Sequence, residues 1–268
     1  MKEERFLVSD LDGTLIPWEG VDRLGSFDSL EILRDKISAE KVGFVILTGR
    51  SFPNIIQAME DYPLPHPGLI FSSAGATLHR KKEGAWETCH EHKAYLEEKN
   101  PRWDRDEIIN RLKGIEGLET QGEIHQSHYK VSFYLYTLDY EPALSRASEL
   151  LGDLGDTLSL QIYPEPEKNM CYLDIMAHEA DKKGALTYLA EREIEGDYVF
   201  AGDNWNDRTA FLSHHPSILV KNTPEELKRE TELKNPHQHI ARGKGEGRTG
   251  KFADGVLEGL ESLGWLFY

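Results

Sequence analysis

The sequence predicts an α/β fold, a doubly wound parallel sheet of Rossmann-like type interrupted by an inserted α+β unit. Three observations carry that reading. Short apolar runs near residues 5–10, 43–47 and 198–201 alternate with helical segments, the rhythm of a buried parallel sheet. Each of those runs ends in a small polar cluster, Asp10-Leu11-Asp12-Gly13-Thr14, Thr48-Gly49-Arg50 and Gly202-Asp203-Asn204-Trp205-Asn206-Asp207. The middle of the chain loses the rhythm and shows longer strands rich in aromatic and β-branched residues.

In chain order, a strand near 5–10 precedes a helix near 28–41, a strand at 43–47, a helix at 51–62 and a strand at 69–72. The middle begins with a helix at 104–113 and continues with a strand at 129–137 (Tyr-Lys-Val-Ser-Phe-Tyr-Leu-Tyr-Thr). A helix at 142–153 and strands at 158–163 and 171–176 complete it. The first rhythm then returns: a helix at 182–193, a strand at 198–201, a helix from Asn206, a strand at 217–220 and a helix from Pro224. The expected division is a core of residues 1–82 and 179–268 around an inserted unit of residues 83–178.

Composition narrows the function classes. With 47 acidic against 31 basic residues the formal charge is −16, which argues against nucleic acid or an anionic membrane as partner. An anionic substrate must then be drawn in locally, by a metal and a few cations. Cys89 and Cys171 are the two cysteines, in no metal-ligand spacing, and fit a reducing compartment. No apolar run has the length of a membrane span or the pattern of a signal segment, so a cytoplasmic protein is expected.

The polar clusters suggest phosphoryl transfer. Asp10 and Asp12, two apart after a buried strand, reach one crevice if the chain stays extended between them, and Gly13 turns the backbone away. A threonine followed by glycine offers a hydroxyl and free N–H groups to phosphoryl oxygens, and Thr48, Gly49 and Arg50 stand where that is needed. Asp203 and Asp207, four apart with Asn206 between them, present the oxygen ligands that Mg²⁺ prefers. In Asp181-Lys182-Lys183-Gly184 a helix start carries two cations, although a lysine there also suits a solvated face. Taken singly each signal also fits an ordinary turn or helix cap; their order and common place at strand ends are specific.

These four segments resemble the motifs of the haloacid dehalogenase superfamily of phosphohydrolases. The resemblance implies a hydrolase core, with Asp10 as nucleophile forming an aspartyl-phosphate, Asp12 as general acid and then base, and Thr48 holding a phosphoryl oxygen. It favours Lys183 as the phosphate-side lysine, since Gly184 follows it directly, with Lys182 the alternative. Mg²⁺ would lie on Asp10, the backbone carbonyl of Asp12 and Asp203, with Asn206 and Asp207 in or just behind that set. The inserted unit takes the place of the family's α/β cap. Within that branch it is similar to sucrose-phosphate phosphatases at Trp103-Asp104-Arg105, Gly117-Leu118-Glu119-Thr120-Gln121 and Tyr129-Lys130-Val131-Ser132-Phe133-Tyr134, as is Ala253-Asp254-Gly255-Val256-Leu257-Glu258-Gly259-Leu260 near the end of the chain.

The substrate implied is a sugar phosphate, foremost sucrose 6F-phosphate, with His128, Lys130 and Asn169 as candidate sugar contacts. The alternatives are phosphatases for mannosyl-3-phosphoglycerate or trehalose 6-phosphate, a phosphomutase on the same scaffold, and a silent sugar-phosphate sensor or a scaffold for a glycosyltransferase. An active phosphatase would stand in functional linkage to a glycosyltransferase that forms its sugar phosphate. Residues 245–251 mimic a nucleotide-binding glycine loop, but no strand is expected before them and Phe252 replaces the Ser or Thr of a P-loop; a flexible surface loop is expected. The paired histidines (90 and 92, 125 and 128, 214 and 215, 237 and 239) fit no closed zinc site.

Overall fold

The structure is a computed structural model and describes residues 4–17, 24–244 and 247–266. Twelve strands and nine α-helices lie among these residues. In chain order they run β1 (Arg5–Ser9), α1 (Leu24–Ala39), β2 (Val42–Leu47), α2 (Phe52–Asp61), β3 (Leu69–Ser72), β4 (Thr77–Lys82), β5 (Ala85–Thr88) and α3 (His90–Lys99). They continue with α4 (Arg105–Leu112), β6 (Leu118–Thr120), β7 (Lys130–Leu135), α5 (Glu141–Leu150), β8 (Leu158–Glu165), β9 (Met170–Ala177) and α6 (Lys182–Tyr188). The last are β10 (Asp197–Gly202), α7 (Arg208–Phe211), β11 (Ser217–Leu219), α8 (Glu225–Lys234), β12 (Gln238–Ile240) and α9 (Phe252–Ser262).

The large sheet has the order β12-β11-β10-β1-β2-β3-β4-β5, parallel from β12 through β3 and closed at one edge by the antiparallel hairpin β4–β5. Alternation along each strand feeds two cores. Leu7, Ile46, Ile70, Val199 and Ile218 pack on one side against α1, α2 and α9. Val8, Leu47, Phe71, Phe200 and Leu219 pack on the other against α6, α7 and α8. The expected doubly wound sheet is therefore observed. Because β1 lies between β2 and β10, chain direction away from it reverses there, and the crevice outside the carboxyl ends of β1 and β10 is the switch point where open sheets take ligands.

The hairpin β4–β5 carries the large sheet past residue 83. Residues 85–88 pair with residues 79–82 and so belong to the large sheet. Their charged pattern, His-Arg-Lys-Lys against Ala-Trp-Glu-Thr, is what an edge hairpin tolerates and what makes it look like a loop in sequence.

The small sheet is antiparallel, in the order β6-β7-β9-β8. Val131, Phe133, Leu173 and Ile175 point to one face and pack against Ile108 and Leu112 of α4 and Ala147 of α5. Register then places Lys130, Ser132, Asp174, Gln161, Tyr163 and Tyr172 on the opposite, polar face. That face meets the large unit: Gln161 Nε2 donates to Asp181 just before α6. No helix among the described residues is long and apolar enough to cross a membrane.

Candidate active site

Asp10 follows β1, and its side chain is buried. Its Oδ1 accepts from the N–H of Leu11 (2.7 Å) and its Oδ2 takes the ammonium of Lys182 (2.8 Å). The chain does not stay extended after Asp10. It folds into a compact turn in which Gly13, at φ 76°, donates its N–H to Ile16 O (2.7 Å). Asn222 Nδ2, from beyond β11, donates to Gly13 O (2.7 Å) and fixes the turn. Asp12 thus reaches the mouth of the crevice, where its side chain is 46% exposed.

Arg50 takes a different place from the one expected. Its Nε and Nη2 donate to the two oxygens of Asp12 (2.7 and 2.6 Å), a bidentate clamp, and its Nη1 donates to Asn54 O. The guanidinium is committed to the acid and not offered to phosphate. Thr48 is buried at the end of β2, tied by its N–H to Phe71 O (3.1 Å) and by its carbonyl to the Ala74 N–H (2.8 Å). A Cβ on Gly49 would meet nothing within 4 Å, so there is room beside its backbone for a ligand.

Asp203 and Asp207 close the other side. Asp203 follows β10; Thr14 Oγ1 donates to its Oδ1 (2.8 Å), while its buried Oδ2 has no hydrogen-bond partner among the described residues. Asp207 is fully buried: Oδ1 accepts from Lys182 (2.5 Å), and Oδ2 from the N–H groups of Asp203 (2.9 Å) and Asn204 (3.0 Å). Asp207 therefore braces the turn that presents Asp203. Asn206 Oδ1 is another buried oxygen without a hydrogen-bond partner among the described residues.

The lysine is a correction: Lys182, not Lys183, enters the site. Asp181 is the N-cap of α6 and accepts from the Gly184 N–H (2.9 Å), which fixes the phase of the helix. That phase turns the side chain of residue 182 inward, between Asp10 and Asp207, and leaves Lys183 exposed. Gly184 is needed for this seating, since a Cβ there would lie 2.1 Å from Glu179 O.

Electrostatics follow from burial. Asp10 is pushed up to about 6, chiefly by desolvation, although Lys182 pulls it down. Asp203 is raised well above the carboxylate range by burial, with Asp207 and Asp10 adding repulsion. Burial alone would lower the Lys182 ammonium, but the two carboxylates around it outweigh this and raise it. Oxygens of Asp10, Asp203 and Asp207 lie within 4.8 Å of one another. Three buried acids thus face one ammonium, and the all-oxygen donor set with an orphan Asp203 Oδ2 fits a hard divalent cation.

The sugar-side candidates fare unevenly. Lys130 is buried on the polar face of the small sheet, 3.5 Å from Asp174. His128 precedes β7, and its exposed ring stacks edge-on with Tyr129 while its carbonyl accepts from Trp103 Nε1 (2.7 Å). Asn169 caps the turn between β8 and β9 and is exposed. Gln161, Tyr163 and Asp181 were not among the expected site residues. The alternation Ser159, Gln161, Tyr163 along β8 is the signal that could have found the first two. Around residues 249–250 the N–H groups that might mimic a phosphate cradle donate instead to Asp254 (2.5 and 2.8 Å); residues 245–246 of that glycine loop lie outside the described ones.

Comparisons with known proteins identify the family. A family model for sucrose-6F-phosphate phosphohydrolase matches residues 3–264. The chain is 30% identical over 98% of its length to mannosylfructose-phosphate phosphatase of Agrobacterium fabrum, covering 98% of that protein. It is 27% identical to probable sucrose-phosphatase 3a of Arabidopsis thaliana over 82% of its own length, which spans 51% of the plant protein. The fold superposes on the sucrose-phosphatase from Synechocystis sp., solved with sucrose and phosphate, with a TM-score of 0.80 and 20% identity, covering 98% of each chain. A family match over nearly the whole chain, converging with a carboxylate–lysine centre at the switch point of the sheet, means that this protein belongs to the sucrose-6F-phosphate phosphohydrolase family of haloacid dehalogenase-type sugar phosphatases.

Proposed function

We propose that this protein hydrolyses the phosphate monoester of a fructose-containing disaccharide, foremost sucrose 6F-phosphate, by way of an aspartyl-phosphate on Asp10. The observation that carries the reading is the contact of Asp10 with Lys182 inside a buried set of three carboxylates. Phosphoryl transfer needs in-line positioning and charge compensation above all. Asp10, Asp203 and the backbone carbonyl of Asp12 would hold Mg²⁺, with Asn206 and Asp207 close behind. When bound, the cation supplies positive charge to the phosphoryl oxygens.

Asp10 attacks phosphorus as the ester oxygen leaves, and Asp12, at the mouth of the crevice, gives that oxygen its proton. Asp12 then takes a proton from the water that attacks the aspartyl-phosphate, releasing phosphate and restoring Asp10. Arg50 grips Asp12 as the carboxylate that serves the second step, and one of its two contacts opens when Asp12 carries the proton of the first. Lys182 holds charge beside the nucleophile, while Thr48 and the Gly49 backbone hold phosphoryl oxygens.

We assign the phosphate to a core that includes β5, and the sugar to a cap formed by the small sheet and α4–α5. A cavity of about 700 Å³ opens between β8 and the turn that carries Asn204 and Trp205. Its volume and its mixture of aromatic and amide groups suit a sugar ring. Such a substrate must be supplied by glycosyl transfer onto a fructose phosphate. The free thiols Cys89 and Cys171 support a reducing compartment.

A second reading is the mannosylfructose phosphate ester, favoured by the relative that matches end to end at 30% identity. Glucosyl and mannosyl rings are C2 epimers, so one hydroxyl separates the two substrates. Phosphate release should be compared for both esters, trehalose 6-phosphate, mannosyl-3-phosphoglycerate and glucose 6-phosphate, with Mg²⁺ and after chelation. The reading expects Mg²⁺-dependent release with a strong preference for a fructose-containing disaccharide. Preference for another ester overturns the substrate, and release undiminished by chelation overturns the metal.

A further inference from the structure

A chain of hydrogen bonds runs from the polar face of the small sheet to the nucleophile. Tyr163 Oη donates to Gln161 Oε1 (2.5 Å), and Gln161 Nε2 donates to Asp181 Oδ2 and to Ser159 Oγ (3.2 Å each). Asp181 uses its other oxygen to cap α6 through the Gly184 N–H (2.9 Å). The next residue is Lys182, on Asp10 and Asp207.

The start of α6 is held at three points. Two belong to the core, where backbones approach closely: a Cβ on Gly184 would collide with Glu179 O, and one on Gly75 would lie 2.6 Å from Asp181 O. The third is Gln161, from the small sheet. Burial, with the carboxylates of Asp174, Asp181, Asp207 and Asp10 nearby, raises the Tyr163 hydroxyl well above its usual range, so it stays a donor and keeps the Gln161 amide turned toward Asp181.

We propose that Gln161 is a positioning residue for catalysis, acting through the helix cap Asp181 to align Lys182 on Asp10. Seating of the small sheet thereby sets the rate constant as well as holding the sugar. The kinetic part rests on the function proposed above; the structural part does not.

The test is Q161A, D181N, D181A and the Q161A/D181A double variant, assayed on the preferred sugar ester and on p-nitrophenyl phosphate, an aryl ester with no sugar to contact the cap. Q161A is expected to lower kcat on both esters by about tenfold, with KM for the aryl ester within about twofold. D181N keeps the capping oxygen for Gly184 but sets an amide NH2 against Gln161 Nε2, so it breaks the link and should lower kcat about as much as Q161A does; full activity in D181N overturns the proposal. The double variant should be no slower than D181A, because both changes break one chain. A raised KM for the sugar ester with unchanged kcat on the aryl ester makes Gln161 a sugar contact and overturns the proposal, as do losses that multiply in the double variant. Crystal structures of wild type and Q161A decide the matter without turnover: displacement of the Lys182 ammonium from Asp10 supports it, and an unmoved ammonium overturns it. A wild type inert on every ester would count against the proposed function alone.

Discussion

Replacing Lys182 separates the geometry found here from the alternative that the sequence favours. Its ammonium is fully buried, 2.8 Å from Asp10 and 2.5 Å from Asp207. K182M leaves two buried carboxylates without their shared cation, and breaking a buried pair by removing one partner costs roughly 3–5 kcal/mol. At roughly 2–4 °C per kcal/mol for a chain approaching this size, Tm should fall by about 6–20 °C, the smaller value if one acid takes up a proton. Adding D207N removes one orphaned charge and should recover part of the loss. Removing a charge aimed at the reacting oxygens should lower kcat by about 10²–10³-fold. The exposed Lys183 gives the contrast: K183A should change stability by less than about 0.5 kcal/mol and leave kcat unchanged. The assay is thermal unfolding beside steady-state phosphate release. Loss of activity in K183A with K182M active would refute the placement of α6.

Three further outcomes follow from named contacts. D10N should abolish turnover without lowering Tm, since an amide at a site that lifts the carboxyl to about 6 removes a desolvated charge; measurable wild-type turnover would contradict the nucleophile. R50A should lower kcat/KM by about tenfold by freeing Asp12, and R50K should recover little because an ammonium cannot form the bidentate clamp; full recovery in R50K would argue for simple charge. Burial depresses both His79 and His92 to about 4 from an ordinary 6.5. Their folded values lie below the unfolded ones, so between pH 4 and 6.5 the unfolded chain binds more protons, and stability is lost as pH falls through that window. H92F should reduce that slope by up to one proton in urea titrations; an unchanged slope would remove His92 from the account.

The parts of the site legible in sequence are those at the ends of buried strands. Parallel strands covered on both faces are unbroken apolar runs, so the polar clusters that follow Val8, Leu47 and Ala201 mark the crevice, and the order of those clusters, with their resemblance to the haloacid dehalogenase motifs, singles out Asp10, Thr48 and Asp203. The choice between Lys182 and Lys183 depends on helix phase, which the Asp181 cap sets and adjacency to Gly184 does not reveal. Arg50 was read by its neighbours in sequence, whereas its partner lies 38 residues away across the crevice. Three-residue strands such as β6 and β12 are too short to show a period. Gln161 and Tyr163 gain their meaning only when the small sheet is set against α6.

The most direct test of the central claim is a rapid acid quench during turnover of the preferred ester, followed by peptide mass spectrometry for an acyl phosphate. The account predicts phosphate on the peptide bearing Asp10, forming no more slowly than phosphate is released and absent from D10N. Steady turnover with no phosphorylated peptide, or with the phosphate on another residue, would contradict it.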